Sequence, residues 1–174
     1  TYQSVSGTGV KAVQQLENEM AGVQGEMAYP YPINRNALPH CDVFLENGYT
    51  KEELKMLNES RKILSLPELK VTCTCVRVPV HRSHSVSVTA QFEKPVDVAE
   101  ARAAYADCAG VNAKDDPENA VYPVPLDTTK KDDCLVGRIR KDMVFNNALA
   151  LWVVGDQVRK GAALNAVQIA ELVE

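Results

Sequence analysis

Val71-Thr72-Cys73-Thr74-Cys75-Val76-Arg77-Val78-Pro79-Val80-His81-Arg82-Ser83-His84-Ser85-Val86-Ser87-Val88-Thr89-Ala90-Gln91-Phe92 carries an alternating pattern on each side of a proline, and its reading decides the fold. Alternation with a period of two places every second side chain on one face of a strand. Before Pro79, Val71, Cys73, Cys75 and Arg77 share a face; after it, His84, Val86, Val88, Ala90 and Phe92 do. The apolar parity therefore ends in an arginine and restarts at a histidine. Strand ends are often polar simply because water reaches them. A guanidinium beside an imidazole also suits an anionic substrate and a proton shuttle. Both readings stand at this point.

Upstream, Ser4-Val5-Ser6-Gly7-Thr8-Gly9 opens a helix whose period runs through Val10, Val13, Leu16 and Met20 and stops at Gly22. Hydroxyls and glycines there serve as caps, though the same groups can hold an anion. From Tyr29 to His40 the prolines forbid a regular element, and the connection is long enough to suggest a role of its own. Asn47-Gly48 marks a turn. Thr50 and Glu53 have the spacing of a capping box, with Leu54, Leu57, Arg61 and Leu64 as the inner stripe of a second helix. Taken alone, Glu52 and Lys55 read as an ion pair on the wet side of that helix.

Downstream, Asp97 and Glu100 cap a helix carrying Val98, Ala101 and Tyr105. Residues 110–132, with Pro117, Pro123 and Pro125, read as mobile extended loops around a short strand. Leu135–Arg140 alternates like a half-exposed strand, whereas Ala148–Val154 is apolar throughout, as a central strand is. Asp156 caps a last helix whose Ala162, Ala163, Ala166, Val167, Ala170 and Val173 form a face for close packing. The predicted class is α+β: an open, mixed, mostly antiparallel sheet covered by helices on one face, the other face calling for a second subunit.

A chain of 174 residues with 45% hydrophobic and 24% charged residues suits one globular domain. The net charge of −4, with no basic run longer than Lys130-Lys131, speaks against nucleic-acid binding. No apolar run is long enough to cross a bilayer. The five cysteines read as buried hydrophobes of a reducing, cytoplasmic compartment, and neither Cys-x2-Cys nor a His partner at ligand spacing points to a metal. Starting at Thr1-Tyr2-Gln3, the chain reads as a piece of a longer one.

Tyr2-Gln3-Ser4-Val5-Ser6-Gly7, Tyr31-Pro32-Ile33-Asn34 to Pro39, Glu52-Glu53-Leu54-Lys55, Arg77-Val78-Pro79 to His84-Ser85, and Lys160-Gly161-Ala162-Ala163-Leu164-Asn165 follow one another in the order and spacing seen in aspartate-semialdehyde dehydrogenases. Singly these motifs are weak; five in order resemble that family over essentially the whole chain. The resemblance covers the family's C-terminal part and implies the C-terminal fold of the glyceraldehyde-phosphate and aspartate-semialdehyde dehydrogenase group. It implies residues 1–157 as a substrate-binding and dimerisation domain and residues 158–174 as a helix returning to a nucleotide-binding domain.

The family's reaction is the NADPH-dependent reductive dephosphorylation of β-aspartyl phosphate to aspartate β-semialdehyde through a cysteine thioester, a step of lysine, threonine and methionine synthesis. The resemblance implies His84 as acid and base, Gln3 as the active-site amide, Arg77 as the clamp on the substrate α-carboxylate, Glu52 as partner of the α-ammonium, Lys55 at the phosphate and Asn165 near the nicotinamide. It replaces the surface reading of Glu52 and Lys55, and it implies that Gln3, Glu52, Arg77 and His84 meet around one hollow. It further implies a homodimer or higher homo-oligomer. The family's Asn-Cys-[Ser/Thr] nucleophile motif and its glycine-rich dinucleotide unit are both absent from the sequence. NADP(H) then falls mainly to the missing domain, and the chain alone is expected to be inactive. Two rival readings are a non-catalytic amino-acid-binding or assembly domain and a related acyl-phosphate reductase.

Overall fold

The computed structural model describes residues 1–173, which fall into two compact units that divide between His81 and Arg82. The first unit is built around one helix that anchors a loop. It contains β1 (Tyr2–Gln3), a 3-10 turn (Val5–Gly7), α1 (Val10–Ala21), α2 (Lys51–Ile63) and β2 (Val76–Arg77). Strands β1 and β2 pair in parallel, with Gln3 opposite Arg77. α1 ends where predicted, at Gly22 in the left-handed conformation that glycine adopts without strain.

The buried face of α1 differs from the predicted stripe. Val10 and Met20 point to solvent, while Ala12, Gln15 and Leu16 are buried. The reason is polar. Gln15 Oε1 accepts the amides of Ala28 and Tyr29 at 2.7 and 3.0 Å, and Glu19 Oε2 accepts those of Ile33 and Asn34 at 2.8 and 2.6 Å. The proline-punctuated loop cannot satisfy its amides through a ladder, so helix side chains do it instead. Tyr29, Ile33 and Leu38 thereby join Val5, Ala12 and Leu16 in one core.

The strand predicted before Pro79 is shorter than expected. Only Val76–Arg77 pairs as strand, although burial still alternates through Val71, Cys73 and Cys75. Leu38 bridges Arg77 from the other side, so that short strand has two neighbours.

The second unit holds β3 (His84–Gln91), α3 (Val98–Ala106), β4 (Val111–Ala113), α4 (Pro125–Thr128), β5 (Cys134–Lys141), β6 (Ala148–Gly155) and α5 (Leu164–Glu171). Its strands run in the order β3-β6-β5-β4, antiparallel except for the β4–β5 pair. β6 is central and largely buried, as its continuous apolar run predicts. Val136, Ile139, Leu149 and Leu151 form the core, with Val98, Ala101 and Tyr105 of α3 packed on it. On the opposite face Ser87, Thr89 and Gln91 of β3 are exposed. The class is α+β, as predicted.

Two details depart from the sequence reading. The stretch 110–132 holds a 3-10 turn at Pro117–Asn119 and the short α4 besides its strand. Asp156 accepts the amide of Val158 rather than capping α5, because Lys160–Ala162 breaks the helical path, with Gly161 at φ +93°. Among the described residues no helix is long and apolar enough to cross a membrane, and no group of three or more His, Cys, Asp or Glu could hold a metal ion.

Candidate functional site

α2 is aimed by its own first turn. Thr50 Oγ1 accepts the Glu53 amide and Glu53 Oε2 accepts the Thr50 amide at 2.8 Å, the predicted capping box. The second Glu53 oxygen accepts the Cys75 amide at 2.9 Å, which ties the helix start to the segment leading into Arg77. Glu52, one residue earlier, then meets Gln3: Gln3 Nε2 donates to Glu52 Oε1 at 3.3 Å. Lys55 Nζ donates to the other Glu52 oxygen at 3.0 Å. The Glu52–Lys55 pair is therefore only half a surface pair, since the Glu52 side chain is 24% exposed against 48% for Lys55. That carboxylate holds the Lys55 ammonium above its usual range, against a smaller pull from burial.

Partners in a parallel ladder share a face, so the β1–β2 register sets Arg77 beside Gln3, and both are buried. The guanidinium donates Nη1–H to the Ser4 carbonyl at 2.7 Å and lies 5.9 Å from the centre of the Tyr29 ring. Its Nε is buried with no hydrogen-bond partner. An unpaired buried donor is costly, more so on a charged group. A planar carboxylate is the ligand such a fork accepts best. Tyr29 is fixed in turn by donating its hydroxyl to Thr8 Oγ1 at 2.9 Å, and burial raises its phenol above the usual range.

Gln3, Glu52 and Lys55 are thus joined by hydrogen bonds, with Arg77 alongside. The other two sequence candidates stand in the second unit. His84 opens β3 opposite Gly155 and is half-buried; Asn165 lies in the first turn of α5, also half-buried. Sequence reasoning missed Tyr29 and the Ser4 carbonyl as the groups that seat Arg77. The crowding of prolines around Tyr29 was the one available signal.

Three of the five thiols are held protonated by their surroundings. Burial pushes Cys41 up to about 11, with Arg77 opposing, and pushes Cys73 up to about 11, helped by Cys75. Cys134 is raised by burial as well. These three stay protonated at neutral pH, and a protonated thiol is a poor nucleophile.

Residues 1–160 match the family model described as semialdehyde dehydrogenase, dimerisation domain. The chain is 50% identical to aspartate-semialdehyde dehydrogenase of Aquifex aeolicus, covering 99% of this chain and 52% of the relative. It is 46% identical to that of Synechocystis, with the same coverage. Among solved structures, aspartate semialdehyde dehydrogenase II from Vibrio cholerae superposes with a TM-score of 0.92 at 40% identity, over 99% of this chain and 52% of that one. The same Vibrio cholerae protein has been solved in complex with ASA. The chain spans about half the length of the curated relatives it matches. With the family model matched over nearly its whole length, the chain belongs to the semialdehyde dehydrogenases, as a dimerisation domain of that family.

Proposed function

We propose that the chain is the substrate-binding half of an NADPH-dependent aspartate-semialdehyde dehydrogenase acting on β-aspartyl phosphate. The observation that carries this reading is the buried Arg77 guanidinium, with Nε unpartnered, beside the Gln3–Glu52–Lys55 chain. A ligand carrying both a carboxylate and an ammonium matches Arg77 and Glu52 together. The Vibrio cholerae relative solved with ASA supports such a ligand. A related acyl-phosphate reductase whose substrate lacks a free ammonium would offer Glu52 no group of the ligand to bind.

In this reading Arg77 binds the α-carboxylate and Glu52 the α-ammonium. Lys55, half-exposed, meets the phosphate once substrate competes for Glu52. Gln3 orients the acyl group through a neutral amide that adds no charge. His84 removes the proton of a thiol supplied from outside this chain, gives it to the oxygen of the adduct formed by hydride addition, and takes it back as that adduct releases the aldehyde and the thiolate, work suited to an imidazole near neutral pH. NADP(H) supplies the hydride when bound. No glycine-rich phosphate cradle occurs in the sequence, so the dinucleotide falls to residues beyond the chain, with Asn165 as the one contact assigned here. α5 has no buried residue, and we assign residues 158–173 to packing against that nucleotide-binding part, Glu174 lying outside the described residues. The exposed Ser87, Thr89 and Gln91 side of the sheet is assigned to a second copy.

Calorimetric titration of aspartate semialdehyde or a stable analogue against wild type, Arg77→Ala and Glu52→Gln tests the substrate site. Weaker binding in both variants is the expected result; equal affinity in all three removes both residues from it. Measurable NADPH oxidation with β-aspartyl phosphate by the 174-residue chain would refute the assignment of the nucleophile and cofactor to a missing part.

A further inference from the structure

The entry into β3 is fastened more firmly than a strand start requires. Ser83 is 1% exposed and stands at φ +75°, a region that a residue with a Cβ occupies only when its surroundings compel it. Its amide donates to Gln157 Oε1 at 3.1 Å. Its hydroxyl shares a 3.2 Å hydrogen bond with Thr129. Thr129 Oγ1 also donates to the Pro125 carbonyl at 3.0 Å, and a hydroxyl has one proton to give, so Ser83 is the donor in the shared bond. Arg82, just before, donates Nε–H at 2.7 Å to Asp156 Oδ2. Asp156 is wholly buried and also accepts the Lys130 amide at 2.7 Å and the Val158 amide at 3.0 Å.

His84 follows at once, and its pairing with Gly155 is the last rung of the β3–β6 ladder. Terminal rungs fray, and a frayed rung would let the imidazole sample several directions. Asp156 and Gln157 continue directly from Gly155, so both strands are gripped just beyond that rung.

We infer that Asp156, Gln157 and Thr129 form a lock that holds Ser83 in its strained conformation and keeps the His84 imidazole aimed for proton transfer. They are positioning residues, acting through His84 rather than touching substrate. The inference rests on the reading of His84 as acid and base.

The test is kinetic, on the full-length enzyme with its upstream half present. Ser83→Gly, Gln157→Leu and Asp156→Asn are each compared in the wild-type and the His84→Gln background. Misplaced catalytic groups cost rate, so Ser83→Gly and Gln157→Leu should lower kcat by roughly tenfold to a hundredfold while KM stays within about twofold. The melting temperature of Ser83→Gly should hold or rise, because glycine accepts φ +75° without strain. In the His84→Gln background neither substitution should lower kcat further, since residues acting as a unit are not additive. An equal loss in both backgrounds, or full kcat in Ser83→Gly where His84→Gln has lost it, overturns the lock. Undiminished kcat in His84→Gln overturns the acid–base reading itself, and the lock's purpose with it, so the two failures are told apart.

Discussion

Arg77 shows how a residue's setting decides what its replacement does. Its charge is seated by one carbonyl and one aromatic ring, with the Nε–H left unpartnered. Arg77→Lys keeps the charge and loses the planar fork. Hydrogen bonds to charged groups are worth about 1.5–3 kcal/mol. Affinity for a carboxylate ligand should accordingly fall by more than about tenfold, read by calorimetry. Glu53 is different, being wholly engaged in structure: Glu53→Gln weakens the capping box and the bond to the Cys75 amide, and should cost about 1 kcal/mol in urea unfolding. Asp127 carries a pH signature. Its carboxyl is held below the usual carboxylate range, first by the Lys114 ammonium at 2.7 Å and then by the Val124 amide. A lowered folded pKa stabilises above the unfolded value of about 3.9, and that contribution disappears as pH falls through the folded value. The stability gap between wild type and Asp127→Asn should be full at neutral pH and close in acid, as followed by urea midpoints. At this scale the placement of Arg77 on the buried side of its strand was legible in the alternation of the sequence. Tyr29 and the Ser4 carbonyl were not, because a ring and a backbone oxygen advertise nothing in a one-dimensional pattern.

Elements declared themselves when one force dominated. β6 is apolar on both sides because it is central, and the capping box marks the start of α2 in four residues. α1 misled because Gln15 and Glu19 face inward to satisfy loop amides, and hydropathy cannot reveal a buried amide with full hydrogen bonding. The strand before Pro79 shortened because its parallel partner β1, Tyr2–Gln3, is two residues long and Leu38 adds a single bridge. β5 supplies the prediction at this scale. Its ladder shifts register between Gly137 and Arg140, and Gly137 lies under the Lys114 carbonyl and the Pro123 ring. A Cβ there would press on that backbone oxygen and stand 2.6 Å from Pro123 Cδ. Gly137→Ala should cost about 1–3 kcal/mol through overpacking, visible as a lower urea midpoint with an unchanged slope.

Across the whole molecule, apolar side chains remain uncovered where relatives have twice the chain. Val167, Ile169, Leu172 and Val173 are all more than half exposed, and Met143 is 99% exposed at the β5–β6 turn. The native 174-residue chain should bind a hydrophobic dye such as ANS, and the dye signal should fall when the upstream half is supplied; an unchanged signal would detach α5 from that half. The uncovered α5 face has a cellular corollary. Synthesised without the further half that its relatives carry, this polypeptide would present chaperones with a greasy surface despite being folded, so its abundance in a cell should track holdase capacity rather than melting temperature.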